Sequence, residues 1–129
     1  MMIHIPVSVG ELLDKMTILE IKTERIADAK KRKNCQKEYD LLEHIAKTHG
    51  ILFMAERAEL KRVNEWLWEI EDSMRKKEAK KEFDQDFIEL TRDEYRANDT
   101  RAKIKKEINL ASGSELIEEK EYVAYDLNK

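Results

Sequence analysis

Residues 6–26 read PVSVGELLDKMTILEIKTERI, and their pattern sets the fold class of the whole chain. Ser8 followed by Glu11 is a capping-box pattern, in which the hydroxyl offers an acceptor to the unpaired N–H groups of a first helical turn. From there Val9, Leu12, Met16, Leu19, Thr23 and Ile26 recur in three- and four-residue steps, which places them on one stripe of an α-helix. Leu13 and Ile18 fall to either side of that stripe and Ile21 nearly opposite it. Burying all of them requires neighbours on several sides, so this helix is expected to be central or to lie at a dimer interface. Lys15 and Lys22 fall at the edge of the stripe instead of on a solvated back.

Outward from this helix, residues 1–7 alternate Ile3, Ile5 and Val7 and carry the only proline, which predicts extended chain. Asp28 is expected to end the first helix and to cap a second over 29–49. Cys35, Tyr39, Leu42 and Ala46 form the stripe of that second helix, Leu41 and Ile45 widen it, and Gly50 is its stop. A third helix, over 52–80, carries Leu60, Val63, Leu67, Ile70 and Met74 in regular alternation, flanked by Trp66 and Trp68. Asp84 is expected to cap a fourth over 85–110, with Phe87, Thr91, Tyr95 and Ala102 as its inner face and an end near Ser112 to Ser114. The final stretch is expected to finish extended, with Tyr122 and Ala124 alternating against Val123, Tyr125 and Leu127; pairing with residues 3–7 is one option.

With one proline and three glycines in 129 residues, and 41% apolar against 41% charged, the composition predicts long helices in a single domain spanning 1–129. The expected class is all-α, a bundle of four helices with short extended termini. The lone Cys35 excludes an intramolecular disulfide and leaves a Cys-based zinc site short of ligands, so a reducing, cytoplasmic setting is expected. The longest apolar run, Ile51 to Ala55, falls far short of the ~20 residues of a membrane helix. A formal net charge of −3 supplies no bulk attraction to nucleic acid. Neither a membrane nor a nucleic acid is an expected partner, and the N-terminus has neither the basic region nor the long apolar core of a signal peptide.

Three segments carry a resemblance: residues 6–26 above, NEWLWEIEDSMRKKE in the third helix, and FDQDFIELTRDEYRANDTRAKIKKEIN followed by GSELIEEKEY. They resemble an uncharacterised family of small helical bacterial and phage proteins, sometimes encoded near glycosyltransferases for surface polysaccharides. Residues 35–63 fall outside the match. The resemblance implies no activity and transfers no catalytic residue.

The residues that could carry chemistry are therefore read from their positions. Asn98 stands in the expected inner face of the fourth helix, where an amide must find partners or cost about 1–3 kcal/mol. Glu94, Arg101 and Lys105 surround it at one- and two-turn spacings, and Asn64, Glu71 and Arg75 line the edge of the third helix beside Trp68. With Lys15 and Lys22 these residues make a partly buried set in which cations outnumber anions, suited to a small anionic ligand: phosphate, sugar phosphate or carboxylate. A rival reading makes Glu71, Arg75, Asn98 and Arg101 a purely structural network that fixes register in a homodimeric adaptor, paired through the first and third helices.

Catalysis has thinner support. His44 and His49 lie on different faces and no Glu-x-x-His occurs, so no metal or other cofactor is expected. Glu56, Glu59, Glu69 and Asp72 imitate the acidic pairs of all-helical nucleotide pyrophosphatases, yet all four fall on one continuous expected helix. No glycine-rich phosphate loop and no Cys–His or Ser–His–Asp set is present. The surviving enzymatic alternative is a small helical mutase of the chorismate type, which needs little more than Arg and Lys side chains to hold carboxylates in place.

Overall fold

The computed structural model describes residues 1–126 and residue 128. Four helices follow one another: α1 (Val9–Arg25), α2 (Ala29–Thr48), α3 (Met54–Ala79) and α4 (Gln85–Ser112). The caps are the residues whose chemistry predicts them. Ser8, Asp28 and Asp84 each accept from the backbone N–H three positions on, in Glu11, Lys31 and Phe87. Gly113 closes α4 at φ 66°, a left-handed geometry that costs glycine nothing. The third helix begins two residues later than expected because Phe53 itself adopts a left-handed φ of 46°.

α1 is the centre of the bundle, since α2, α3 and α4 all approach it while α2 brings its backbone close to no other helix. The link from α2 to α3 runs through side chains, as where Arg57 donates to the Tyr39 hydroxyl at 3.4 Å. Leu12, Leu13 and Met16 of α1, Leu60, Val63, Leu67 and Ile70 of α3, and Ala97, Ile104 and Ile108 of α4 form one apolar cluster, which Ala46 of α2 joins. Ile21 is closed off within the single chain, whereas Ile18 is half-buried.

The inner face of α4 differs from the expected one. Of the expected face Tyr95 is 55% exposed and Phe87, Thr91 and Ala102 are half-buried, while Ala97 and Ile104 are buried, so the face is turned by about one residue's rotation. Alanine is too small to announce a buried position, and a tyrosine suits a wet margin as well as a core. The termini do not pair, and among the described residues no strand forms. Residues 2–5 border α2 instead, and the C-terminal segment runs beside α4, with Glu118 on Lys105 and Tyr125 on Asp99. Leu127 lies outside the described residues.

Candidate functional site

α1 and α4 run antiparallel, and the start of α1 is built on the end of α4. Three N–H groups of its first turn would otherwise lack partners. Val9 donates to Ser114 Oγ at 3.2 Å, Gly10 to Asn109 Oδ1 at 2.7 Å and Glu11 to Ser8 Oγ at 3.1 Å. Gly10 is required by proximity, since a Cβ there would stand 2.6 Å from the carbonyl oxygen of Lys105. Of the expected capping box only the serine half forms, because the Glu11 carboxylate accepts from Lys105 Nζ at 2.7 Å.

One turn further along α1 lies Asp14, with a relative exposure of 0%. Arg101 approaches its carboxylate edge-on, donating from Nε to Oδ1 at 2.9 Å and from Nη2 to Oδ2 at 2.5 Å. Asn64 Nδ2 donates to the same Oδ1 at 2.9 Å and to Thr17 Oγ1 at 3.0 Å, while Thr17 donates to the Asp14 carbonyl at 2.7 Å. Lys105 completes the layer 3.9 Å from Oδ2. Three helices thus converge on one buried carboxylate, and a charge so placed persists only when paired and hydrogen-bonded. The bond to Asp14 holds the Arg101 guanidinium charged beyond its already high range, against the opposing effect of burial. Burial pushes the Lys105 ammonium down, but hydrogen bonds to Glu11 and Glu118 outweigh it and the net shift is upward.

Above this layer opens a cleft of about 420 Å³ between α1, α3 and α4. Five of the nine expected site residues line it: Asn64, Glu71, Arg75, Asn98 and Arg101, together with Trp68 and Ile18. Glu94 is half-buried beside them, its carboxyl pushed above the usual range first by burial and then by hydrogen bonding and charge repulsion from Glu71. The other three stand elsewhere. Lys15 pairs with Glu38 of α2 at 2.8 Å and is 53% exposed. Lys22 is half-buried, does not line the cleft and makes no ion pair among the described residues. Lys105 is spent on Glu11 and Glu118.

The expected excess of positive charge does not gather in the cleft. Its lining holds Glu71 and Asp72 against Arg75 and Arg101, and Arg101 already faces Asp14. Nor do Glu71, Arg75, Asn98 and Arg101 satisfy one another: only Glu71 and Arg75 approach, at 3.7 Å. The structural network exists, but it is the Asp14 layer. Asp14, Thr17, Glu11 and Asn109 were missing from the expected set, although Gly10, Asp14, Thr17 and Ile21 repeat at four, three and four residues. That spacing is a second helical stripe with a carboxylate in it.

The cleft also holds polar groups with no protein partner. Asn64 spends its amide nitrogen on the layer below, and among the described residues its Oδ1, the Asn98 side chain and the Trp68 indole N–H make no hydrogen bond. Half-open walls with unspent donors and acceptors beside an aromatic ring are what a small-molecule site requires. Among the described residues no group of three or more His, Cys, Asp or Glu side chains is placed to hold a metal ion. No helix there is long and apolar enough to cross a membrane.

No curated protein and no solved structure matches the chain. The sequence model of a family of unknown function, DUF6165, matches residues 3–126, nearly the whole of it. The capped N-terminal stretch and the two later segments that carry the resemblance all fall inside that span, and the chain belongs to the DUF6165 family.

Proposed function

We propose that the chain is a non-catalytic binding module whose cleft takes a small carboxylate that also carries an ammonium group. The observation that carries this reading is the balanced charge of the lining, Glu71 and Asp72 facing Arg75 and Arg101 around the unpartnered Asn98. A free phosphate would meet two carboxylates there, whereas a zwitterion answers both signs. Its ammonium group relieves the repulsion between Glu71 and Glu94, its carboxylate reaches Arg75 and the outer nitrogen of Arg101, and an apolar part lies against Trp68 and Ile18. A mutase that clamps two carboxylates would need more free cations than the cleft offers, since Lys105 is paired with Glu11 and Glu118 and Arg101 keeps only its outer nitrogen.

Thermal shift with phenylalanine, phenethylamine and 3-phenylpropanoate separates the possibilities, because a ligand that prefers the folded state raises its melting temperature. The zwitterion is expected to raise it most, and Asn98→Ala and Trp68→Ala to remove the effect. If the acid alone acts as strongly, the ligand is a plain anion; if none of the three acts on the wild type, the cleft reading fails.

A second reading, a homodimeric adaptor, is favoured by one observation. Ile3 and Ile5 are exposed beside Leu41 and Ile45 of α2, around a groove of about 580 Å³. Sedimentation equilibrium tests it: a dimer that Ile45→Lys converts to monomer supports this reading, and a strict monomer removes it.

A further inference from the structure

We propose that the cavity between the end of α4 and the C-terminal segment is a second binding site, for a phosphate-type anion, which the chain's own Glu118 and Glu119 occupy in this structure. The cavity measures about 270 Å³ and shares no lining residue with the cleft. Lys103, Lys105, Lys106 and Lys120 border it, with Asn109 behind them. Two carboxylates of the C-terminal segment answer these cations: Glu118 takes Lys105 at 2.8 Å and Lys120 at 3.5 Å, and Glu119 takes Lys106 at 3.3 Å. Lys103 makes no ion pair among the described residues.

Asn109 supplies the independent sign. It is buried, and its Oδ1 accepts from Gly10, so the amide cannot turn over without breaking the first turn of α1. Its Nδ2 is thereby left as a buried donor with no acceptor. Such donors are rare in folded proteins because each forfeits a hydrogen bond that water would have supplied. A tetrahedral oxyanion offers several acceptors where a carboxylate offers two, and so can engage the lysines and this amide together.

The segment that covers the cavity is held by polar contacts, Glu118 and Glu119 on the lysines and Tyr125 on Asp99, more than by apolar burial. Leu116, Tyr122 and Val123 are exposed, so displacing this stretch uncovers little apolar surface. Hydrogen bonding from Lys105 holds the Glu118 carboxyl below its usual range, consistent with its standing in an anion's place. Lys105 keeps Glu11 at 2.7 Å when Glu118 leaves, and the layer beneath stays paired. Glu118 and Glu119 therefore act as tethered competitors, present at a high effective concentration that an outside anion must exceed.

The test is a titration of the full chain with inorganic pyrophosphate at constant ionic strength, followed through the Asn109 side-chain amide in nitrogen-15 spectra. Pyrophosphate is expected to move that resonance and to drive the backbone amides of residues 116–126 toward free-chain positions. Glu118→Gln with Glu119→Gln should tighten binding roughly three- to tenfold by removing the tethered competitor. Lys106→Gln with Lys120→Gln, both at the surface, should weaken it by at least a similar factor. Vesicles with a phosphomonoester headgroup, in a cosedimentation arm, assign the source, since capture of the chain shows a membrane-borne phosphate and its absence beside a soluble response shows a free one. Equal affinity in wild type and the Glu118/Glu119 variant, or no Asn109 response in either, overturns the proposal. Neither result bears on the cleft.

Discussion

Arg101 holds Asp14 by two parallel hydrogen bonds across a separation of 87 residues, and the two groups differ sharply in their access to water. The carboxylate is fully enclosed, while the guanidinium side chain keeps 28% exposure at the cleft wall.

That asymmetry orders the consequences of breaking the pair. Arg101→Met strands a buried carboxylate and should cost about 3–5 kcal/mol. Asp14→Leu lets Arg101 turn toward solvent and should cost less. The double variant should fall well short of the sum, because a paired buried charge replaced by apolar groups is often close to neutral. Urea denaturation of all four proteins measures the cycle; strict additivity would show that the pair is not a coupled unit.

Gly10→Ala should destabilise by about 1–3 kcal/mol, the usual cost of forcing extra volume into a tight contact. The new methyl would meet the backbone oxygen of Lys105 at 2.6 Å and the Asn109 oxygen at 2.9 Å, and a main-chain atom cannot swing aside. A thermal melt unchanged from wild type would mean that α1 and α4 do not approach so closely.

Asn64→Asp keeps the shape of the side chain and reverses its chemistry, setting a second carboxylate where an amide donates to Asp14 at 2.9 Å. The variant should be markedly destabilised at pH 7 and recover part of the loss at pH 5. Two adjacent carboxylates raise one another's pKa until one keeps its proton and donates to the other. Melting temperatures at the two pH values decide it, and an equal deficit at both would refute the arrangement.

Much of this was legible beforehand, for reasons that differ by residue. Ser8, Asp28, Asp84 and Gly113 act on their own backbone within a few positions, so their roles survive whatever the tertiary structure does. The cleft was half legible: Asn64, Glu71, Arg75, Asn98 and Arg101 share it because their helices present those edges to one another. Lys15 and Lys105 went astray for a long-range reason. A lysine at the margin of a stripe can turn to either side, and here Glu38 and Glu11 draw the two away from the cleft. Asp14 is not legible in the same way, since an isolated aspartate in a helix reads as solvated until its partners, 50 and 87 residues away, are known.

Glu94 gives the molecule a pH dependence opposite to that of an ordinary paired carboxylate. Its folded pKa is raised, by burial and by Glu71, so its contribution to stability is fully present below its unfolded pKa and is lost as pH rises through the raised value. Glu94→Gln cannot ionise, and its stability relative to wild type should climb between pH 4 and pH 7. Urea unfolding across that range checks the sign; parallel curves would show that neither burial nor Glu71 raises its carboxyl.

That the backbone of α2 comes close to α1 and to no other helix bears on how the molecule assembles. During synthesis the α1–α2 hairpin emerges first, and it can form from contacts close in sequence while Asp14 still faces water. The polar stripe of α1 is complete only once α3 brings Asn64 and α4 brings Arg101 to Asp14. In the finished molecule α2 is the outlying partner, and native-state hydrogen exchange should find its amides opening at lower free energy than those of α1, α3 and α4.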